Sequence, residues 1–135
     1  MSGITPKLPL SFDNKHGYNL IKKYKNLATQ NLKNLILTSP GERIMDPTFG
    51  VGLRSFLFQL DHDLTRAEII SRIEDQVKKY LPFIQIDQVI FNSSSEFADM
   101  DPNLLSITIE YIILPLQITD KLDITIWQNY LTIMR

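Results

Sequence analysis

The stretch Leu35–Phe58 reads LILTSPGERIMDPTFGVGLRSFLF, and it decides the fold because it joins two apolar, helix-like patches through an unusual connection. That connection holds the turn pair Pro40-Gly41, then Pro47, then Gly50 and Gly52. A proline restricts the residue before it to extended geometry, and a glycine adopts backbone angles that other residues resist. The stretch therefore predicts a helix that ends, a chain that turns twice and a short amphipathic turn.

Two amphipathic helices are predicted on either side of this stretch. Between Lys22 and Thr38 apolar residues recur every three or four positions, which is typical of a helix with one buried face. This predicted inner stripe consists of Tyr24, Leu27, Ala28, Leu32, Leu35 and Ile36. The second helix follows a capping box, Thr65-Arg66-Ala67-Glu68, in which a hydroxyl and a carboxylate accept from free amides at a helix start. Pro82 ends this helix. Its predicted inner stripe consists of Ile69, Ile70, Ile73, Val77 and Tyr80.

Beyond the second helix the apolar residues recur with a period of two, which is the period of a β-strand. Ile84 and Ile86 alternate first. Val89 and Phe91 then alternate on the opposite parity. A bulge that shifts the register is therefore expected near Asp87-Gln88.

Two further strands complete the predicted sheet. The clearest is Leu105–Ile113, which a long loop from Asn92 to Asn103 joins to the preceding strand. A third strand is predicted over Leu122–Ile126, and the tail to Arg135 fits either a strand or a helix. The order of helix, loop, helix and strands predicts an α+β fold. In it, two main helices and a short amphipathic turn pack on a small antiparallel sheet of about three strands.

The length and the apolar content predict one core and an N-terminal extension. With 135 residues, of which 44% are hydrophobic, the chain fits a single domain of ordinary size. We assign residues 1–17 to an N-terminal arm and residues 18–135 to the domain. Leu8, Leu10 and Phe12 alternate in the arm like a short strand that needs a partner.

Composition disfavours several classes of function. The net charge is -1, with 14 Lys and Arg interleaved among 15 Asp and Glu, so no nucleic-acid surface is expected. The chain has no cysteine, which excludes disulfides and thiolate metal sites. No signal peptide is evident, and the longest apolar run, Tyr111–Leu116, is far short of the roughly 20 residues of a membrane span. We expect a soluble, non-secreted protein with no membrane partner.

The stretch around the two turns also carries an ordered motif. Its members are Pro40, Gly41, Glu42, Arg43, Asp46, Pro47, Phe49, Gly50, Gly52, Leu53, Leu57 and Phe58. Together with Leu37, Thr38 and Met45, this order closely resembles the signature of the baseplate wedge proteins of contractile-tailed phages and their type VI secretion relatives. The likeness runs from about Ile21 to Ile113.

The resemblance implies a structural subunit of the tail baseplate that starts sheath polymerisation. In that family the sheet mimics the handshake domain of the sheath protein and receives sheath arms by β-strand addition. The candidate strand here is Leu122, Asp123, Ile124, Thr125 and Ile126. The implied partners are other wedge proteins and the sheath protein, with tube or hub proteins as further candidates. The implied location is the virion's tail baseplate, assembled in the host bacterial cytoplasm.

The turn after the second helix departs from the family pattern. Family members usually carry Glu-Pro-Arg there, a triplet associated with docking on the helical bundle of the wedge core, whereas this chain has Leu81-Pro82-Phe83. One interpretation is that the charged contact becomes an apolar one. The other is that Leu81 and Phe83 fill the domain's own core. Both interpretations remain open from the sequence.

Two other classes of function compete with the structural one. A glycosidase needs two carboxylates about 5 to 10 Å apart, and Glu42 with Asp46 is the pair in a constrained loop. We favour local turn hydrogen bonds for both. Asp61-His62-Asp63 is interpreted as a solvated turn rather than a metal site. We therefore expect no catalytic residue, cofactor, metal or small-molecule substrate. The remaining alternative is a small regulatory binder that shares the fold.

The apolar residues at the end of the motif have a divided assignment. Phe49, Leu53 and Leu57 are expected in the core. Phe56 and Phe58 cannot both face the same way as Leu57, so one of these two is a candidate for an exposed anchor. Aromatic side chains are enriched at the energetic centres of interfaces.

Overall fold

A computed structural model describes residues 3–15, 17–57, 59, 62–92, 105–126 and 131–132. Its helices are α1 (Tyr24–Leu37), a short 3-10 helix (Leu53–Phe56) and α2 (Asp63–Tyr80). Its strands are β1 (Thr5–Pro6), β2 (Phe12–Asp13), β3 (Gly17–Tyr18), β4 (Leu20–Ile21), β5 (Ile84–Asn92), β6 (Leu105–Ile113), β7 (Ile118–Ile126) and β8 (Leu131–Thr132). The predicted α+β class and both main helices are confirmed.

The main sheet is antiparallel with the strand order β5-β6-β7-β8. The prediction of about three strands is wrong by one, because β8 adds a fourth. It pairs only Thr132 with Thr125 and Leu131 with Ile126, and two residues are too few to produce a period-two signal. Four short strands near the N-terminus form two further two-stranded pairs.

The pairing of β5 with β6 contains the predicted irregularity. The register runs from Ile84 opposite Ile113 to Asn92 opposite Ser106 and shifts between Ile86 and Gln88. The bulge expected near Asp87-Gln88 is therefore confirmed. The loop predicted between these strands falls mostly outside the described residues.

The third strand is longer than its apolar alternation indicated. β7 pairs with β6 over Ile118–Ile126 with no shift in register. Its first half was missed because Asp120 occupies a position on the same face as the buried Leu122. The Asp120 carboxylate is compensated there, since it accepts from Tyr111 Oη at 3.2 Å and lies 3.3 Å from Lys25 Nζ.

A polar contact in the core fixes α1 on the sheet. Thr29 Oγ1 lies 2.8 Å from the hydroxyl of Tyr111, which is fully buried. Around it the apolar stripe of α1, namely Ala28, Leu32, Leu35 and Ile36, is buried as predicted. Tyr24, which the same periodicity placed inward, is 69% exposed at the first residue of the helix.

The start of α2 differs from the capping-box prediction. The helix begins at Asp63, and Thr65 lies inside its first turn rather than at the cap. An acidic side chain in the first turn is favoured by the positive end of the helix dipole, so Asp63 extends the helix. The stripe facing the core is confirmed for Ile69, Ile73 and Val77, whereas Ile70 and Tyr80 are half-buried.

The N-terminal residues pair within this chain. β1 pairs with β4, and β2 pairs with β3. Both pairs join the first part of the predicted arm to residues at or beyond residue 17, the predicted end of the arm. Gln30 of α1 holds the arm, because its Oε1 accepts from Leu8 N at 3.0 Å and its Nε2 donates to Pro6 O at 3.2 Å. The single strand expected through Leu8, Leu10 and Phe12 is wrong, since Pro9 interrupts it and only Phe12 is in a strand.

Candidate functional site

The motif residues from Thr38 to Gly52 lie in a loop that caps the C-terminal end of α1. We call residues 38–52 the motif loop. The backbone N–H groups of Val51 and Gly52 donate to the carbonyl oxygens of Leu35 and Thr38, at 3.1 and 3.0 Å. The last carbonyls of a helix have no helical partners. The returning loop supplies those partners, so the end of the helix and the shape of the loop determine each other.

Two glycines make this close approach possible. Gly50 has φ +113°, and a Cβ there would overlap the Thr38 carbonyl oxygen. Gly52 has φ +70°, and a Cβ there would lie 2.8 Å from Pro40 Cδ. Both conformations are strained for residues with side chains, and neither site has room for one. The predicted need for glycine at these two positions therefore has a steric cause.

A glutamine of α2 fastens the loop to the second helix. Gln76 Oε1 accepts the backbone N–H of Gly50 at 2.9 Å, and Gln76 Nε2 donates to the carbonyl oxygen of Thr48 at 3.1 Å. One amide group thus satisfies a donor and an acceptor two residues apart. Sequence reasoning missed Gln76, because a polar residue on a helix carries no signal of a contact 26 residues away.

Aromatic contacts hold the other side of the loop. The Arg43 guanidinium carbon lies 3.7 Å from the centre of the Phe49 ring. Phe49 meets Tyr80 of α2 edge-on, with ring centres 4.9 Å apart and planes at 70°. These three side chains, with Leu81 and neighbouring residues of α1, line a cavity of about 220 Å³. The loop is therefore supported by α2 as well as by α1.

The carboxylate of Asp46 belongs to a polar cluster at this contact. Thr48 Oγ1 donates to Asp46 Oδ1 at 2.8 Å, lies 2.9 Å from Tyr80 Oη and accepts from Lys79 Nζ at 3.1 Å. Hydrogen bonding from Tyr80, and then from Thr48, lowers the pKa of Asp46 below its ordinary 3.8. The cluster therefore favours the ionised form, whereas the general acid of a glycosidase needs a raised pKa.

The tip of the loop presents two large apolar side chains to solvent. The Gly41 N–H donates to the Pro47 carbonyl at 2.9 Å and closes the loop, and between them Ile44 is 94% exposed and Met45 is 96% exposed. The motif included Met45, but sequence reasoning did not single out this pair as a site. Adjacent apolar residues within a charged, turn-rich segment were the available signal.

The other motif residues divide by burial. Leu53 is buried, while Phe49 and Leu57 are half-buried against the core. Phe56 is buried and its ring is covered by Arg72, so the hypothesis that it is the exposed anchor is wrong. Phe58 lies outside the described residues. The exposed members are Pro40, Gly41, Glu42, Arg43 and Pro47.

The turn that replaces the family triplet has one buried and one exposed member. Leu81 is 8% exposed and belongs to the core cluster, Phe83 is half-buried against that cluster, and Pro82 is exposed. The Phe83 carbonyl accepts the N–H of Leu114 at 3.0 Å. The core interpretation therefore describes Leu81, and only Pro82 and part of Phe83 are available to a partner.

The candidate strand for β-strand addition is β7. Leu122, Ile124 and Ile126 are buried, while Asp123 and Thr125 are half-buried on the other face. The expectation that 122–126 is an open edge is wrong at its end, because β8 pairs with Thr125 and Ile126. Within the described residues, no strand pairs with the outer side of β7 from Ile118 to Ile124.

Other candidate chemistry finds little support in the described part of the chain. His62 precedes α2 and Asp63 is its first residue, while Asp61 lies outside the described residues. Among the residues that the structure describes, no group of three His, Cys, Asp or Glu could hold a metal ion. None of the described helices is long and apolar enough to cross a membrane.

Comparison with known proteins addresses the family. The family model described as baseplate wedge protein gp25 matches residues 24–115, which is more than half of the chain. This chain belongs to the gp25 baseplate wedge family. The resemblance inferred from the motif is confirmed, and the protein is a baseplate wedge-like protein of a contractile tail or prophage structure. A search of curated proteins finds no match.

Two solved structures share the fold. A chain of the anti-feeding prophage baseplate is 28% identical, with a TM-score of 0.68 over 81% of this chain and 83% of that one. A candidate tail lysozyme from Geobacter sulfurreducens is 21% identical, with a TM-score of 0.66 over 83% of this chain and 97% of that one. At that identity the second likeness shows the fold alone, and it carries no argument for hydrolysis.

Proposed function

We propose that this gp25-family protein is a structural subunit in the baseplate of a contractile tail, where its β7 edge receives strands of the sheath protein and starts sheath assembly. Family membership and the likeness to a prophage baseplate chain support the location. The observation that carries the mechanism is the outer side of β7 from Ile118 to Ile124, which no described strand covers. An open edge is otherwise a liability for aggregation.

The other edge of the sheet is a poorer acceptor of an added strand. β5 is interrupted by the register shift between Ile86 and Gln88, where Asp87 is exposed, and a bulge with a charge is a common protection of an edge. β7, in contrast, keeps an unbroken register against β6. A regular strand offers evenly placed backbone groups, which is the requirement of β-strand addition.

A separate surface is proposed for the contact with other wedge proteins. The turn at Pro82-Phe83 is hydrogen-bonded to the β6–β7 turn, in which Leu114 and Leu116 are exposed. The tip of the motif loop, Ile44-Met45, is a second exposed apolar element. We assign the turn at 81–83 to docking on the helical bundle of the wedge core, with the loop tip as a further contact. Tube or hub proteins are further candidate partners.

The proposal gives the chain no catalytic role. Asp46 is tied to Thr48 and Tyr80 in a structural cluster, and Glu42 is exposed on the loop surface. The assembly would take place in the cytoplasm of the bacterial host, and the product would be part of the particle. The motif loop, in this view, shapes a surface for binding and does not form a cleft for a substrate.

Proline substitutions at the edge test the mechanism. Consecutive strand residues direct their N–H groups to opposite sides, so either Ile118→Pro or Thr119→Pro removes an outward N–H without touching the β6 ladder. We expect that one of the two variants keeps the parent unfolding midpoint and enters baseplates, yet forms tails without sheath in electron micrographs. Ile118→Ala and Thr119→Ala are the matched controls and should support sheath. Normal sheaths with the stable proline variant would refute reception at β7.

A further inference from the structure

A groove about 570 Å³ in volume runs between the N-terminal arm and α1. The groove is lined by four lysines and by apolar side chains that include Leu37 and Leu122. The lysines are Lys7, Lys22, Lys23 and Lys33. No Asp or Glu is among the lining residues. For a chain with a net charge of -1, a lining that holds four lysines and no acidic residue is a strong local departure from the average charge.

Three of these lysines have no acidic partner among the described residues. Lys7, Lys22 and Lys23 are exposed, and no ion pair in the described part of the chain includes them. The nearby Lys25, which does not line the groove, is already paired with Asp120 at 3.3 Å. Lys7, Lys22 and Lys23 therefore concentrate positive charge at the groove, and no acid among the described residues pairs with them.

The groove has a fixed shape because both walls are attached. Gln30 bonds the arm at Leu8 and Pro6, and β1 pairs with β4 at the base of the arm. A preformed groove reduces the entropy lost when a segment binds. The apolar floor of the groove suits the apolar side chains of a peptide. A nucleic-acid backbone alone would leave that floor uncovered.

We propose that this groove binds an acidic, extended peptide segment of a partner protein, in which Asp or Glu alternates with apolar residues. The acidic side chains pair with Lys7, Lys22 and Lys23, and the apolar ones pack on Leu20 and Leu37, which line the groove and are half-buried. The groove is lined by the Leu122 side chain of β7, whereas strand addition uses backbone groups along the outer side of that strand. The proposal does not depend on reception of the sheath.

Fluorescence anisotropy with the full chain tests the assignment. The probe is a short labelled peptide of alternating glutamate and valine, and the comparison peptide replaces glutamate with lysine. We expect the glutamate peptide to bind more tightly than the lysine peptide, with an affinity that falls as salt is raised. The double variant Lys7→Glu/Lys23→Glu should weaken binding by about tenfold or more.

Matched variants keep the outcome decisive. Lys15→Glu/Lys78→Glu changes the net charge equally outside the groove, and it should bind the glutamate peptide like the parent. Gln30→Ala, which releases the arm, should also weaken binding. Equal affinity for both peptides, or equal loss in both double variants, would overturn the proposal. Tighter binding of a labelled oligothymidylate than of the glutamate peptide would assign the groove to nucleic acid instead.

Discussion

The side-chain oxygen of Gln76 accepts the backbone N–H of Gly50 at 2.9 Å, and this bond is one of those that join α2 to the motif loop. Because Gly50 is buried, its N–H has no ready substitute partner in solvent. A residue outside the motif therefore helps to fix the shape of the motif loop.

Gln76→Ala is the first test of that relationship. The change leaves the Gly50 N–H and the Thr48 carbonyl without their side-chain partner. The free energy of unfolding should therefore fall by about 1–3 kcal/mol. Gln85→Ala, at an exposed position of β5, serves as the control and should stay within about 0.5 kcal/mol of the parent. Urea unfolding measures both. Equal stability of the two variants would show that the Gln76 bonds do not support the loop.

Glycine substitutions separate backbone strain from steric overlap. Gly41 has φ +91°, and an added Cβ there would meet no atom within 4 Å, whereas Gly50 has φ +113° and an added Cβ would overlap the Thr38 carbonyl. Gly41→Ala therefore tests strain alone, and Gly50→Ala adds the overlap, which should cost about 1–3 kcal/mol more. Thermal or urea unfolding of both variants gives the difference. If the Gly50→Ala variant is as stable as the Gly41→Ala variant, the close approach of Gly50 to α1 is contradicted.

The pH dependence of stability tests the Asp46 cluster. Hydrogen bonding from Tyr80 and Thr48 lowers the pKa of Asp46, so its stabilising contribution is complete above the unfolded value and is lost as the pH falls through the folded value. Asp46→Asn should therefore be less stable than the parent at pH 7, and the difference should shrink below about pH 4. Asp87→Asn at the β5 bulge is the matched change. If the Asp46→Asn variant remains less stable than the parent by the same amount at low pH, the lowered pKa of Asp46 is contradicted.

The turn after α2 offers a test that separates folding from docking. Leu81 lies in the core, so Leu81→Ala should cost about 2–5 kcal/mol of stability. Pro82 is exposed, so Pro82→Glu should leave the unfolding midpoint close to that of the parent and weaken binding to the wedge core. Pull-down of the wedge proteins with each purified variant provides the comparison. A Pro82→Glu variant that binds them normally would remove this turn from the interface.

Several elements followed from short-range patterns in the sequence. The helices and the strands β5 and β6 follow from apolar periods of 3.6 and two, and the bulge near Asp87 follows from a change of parity. The positions of Gly50 and Gly52 follow from turn chemistry. Each of these features depends on residues that are close together in the chain.

Features that depend on distant contacts did not follow. Asp120 occupies a core-facing position because Tyr111 and Lys25 compensate its charge, which hid the first half of β7. β8 is only two residues long, so the sequence has no periodic pattern that predicts its pairing with Thr125. The exposure of Ile44 and Met45 likewise depends on a loop closed by Gly41 and Pro47, and apolar residues in a turn-rich segment do not by themselves reveal whether they face solvent.

Hydrogen exchange at β7 is the most direct measurement of sheath reception. Baseplates with and without attached sheath would be compared by mass spectrometry of peptides that cover residues 118–124 and, as the other edge, residues 84–92. We expect the backbone amides of 118–124 to become protected when sheath is attached, because added strands hydrogen-bond to that edge. Protection of 84–92 with no change at 118–124 would contradict reception at β7.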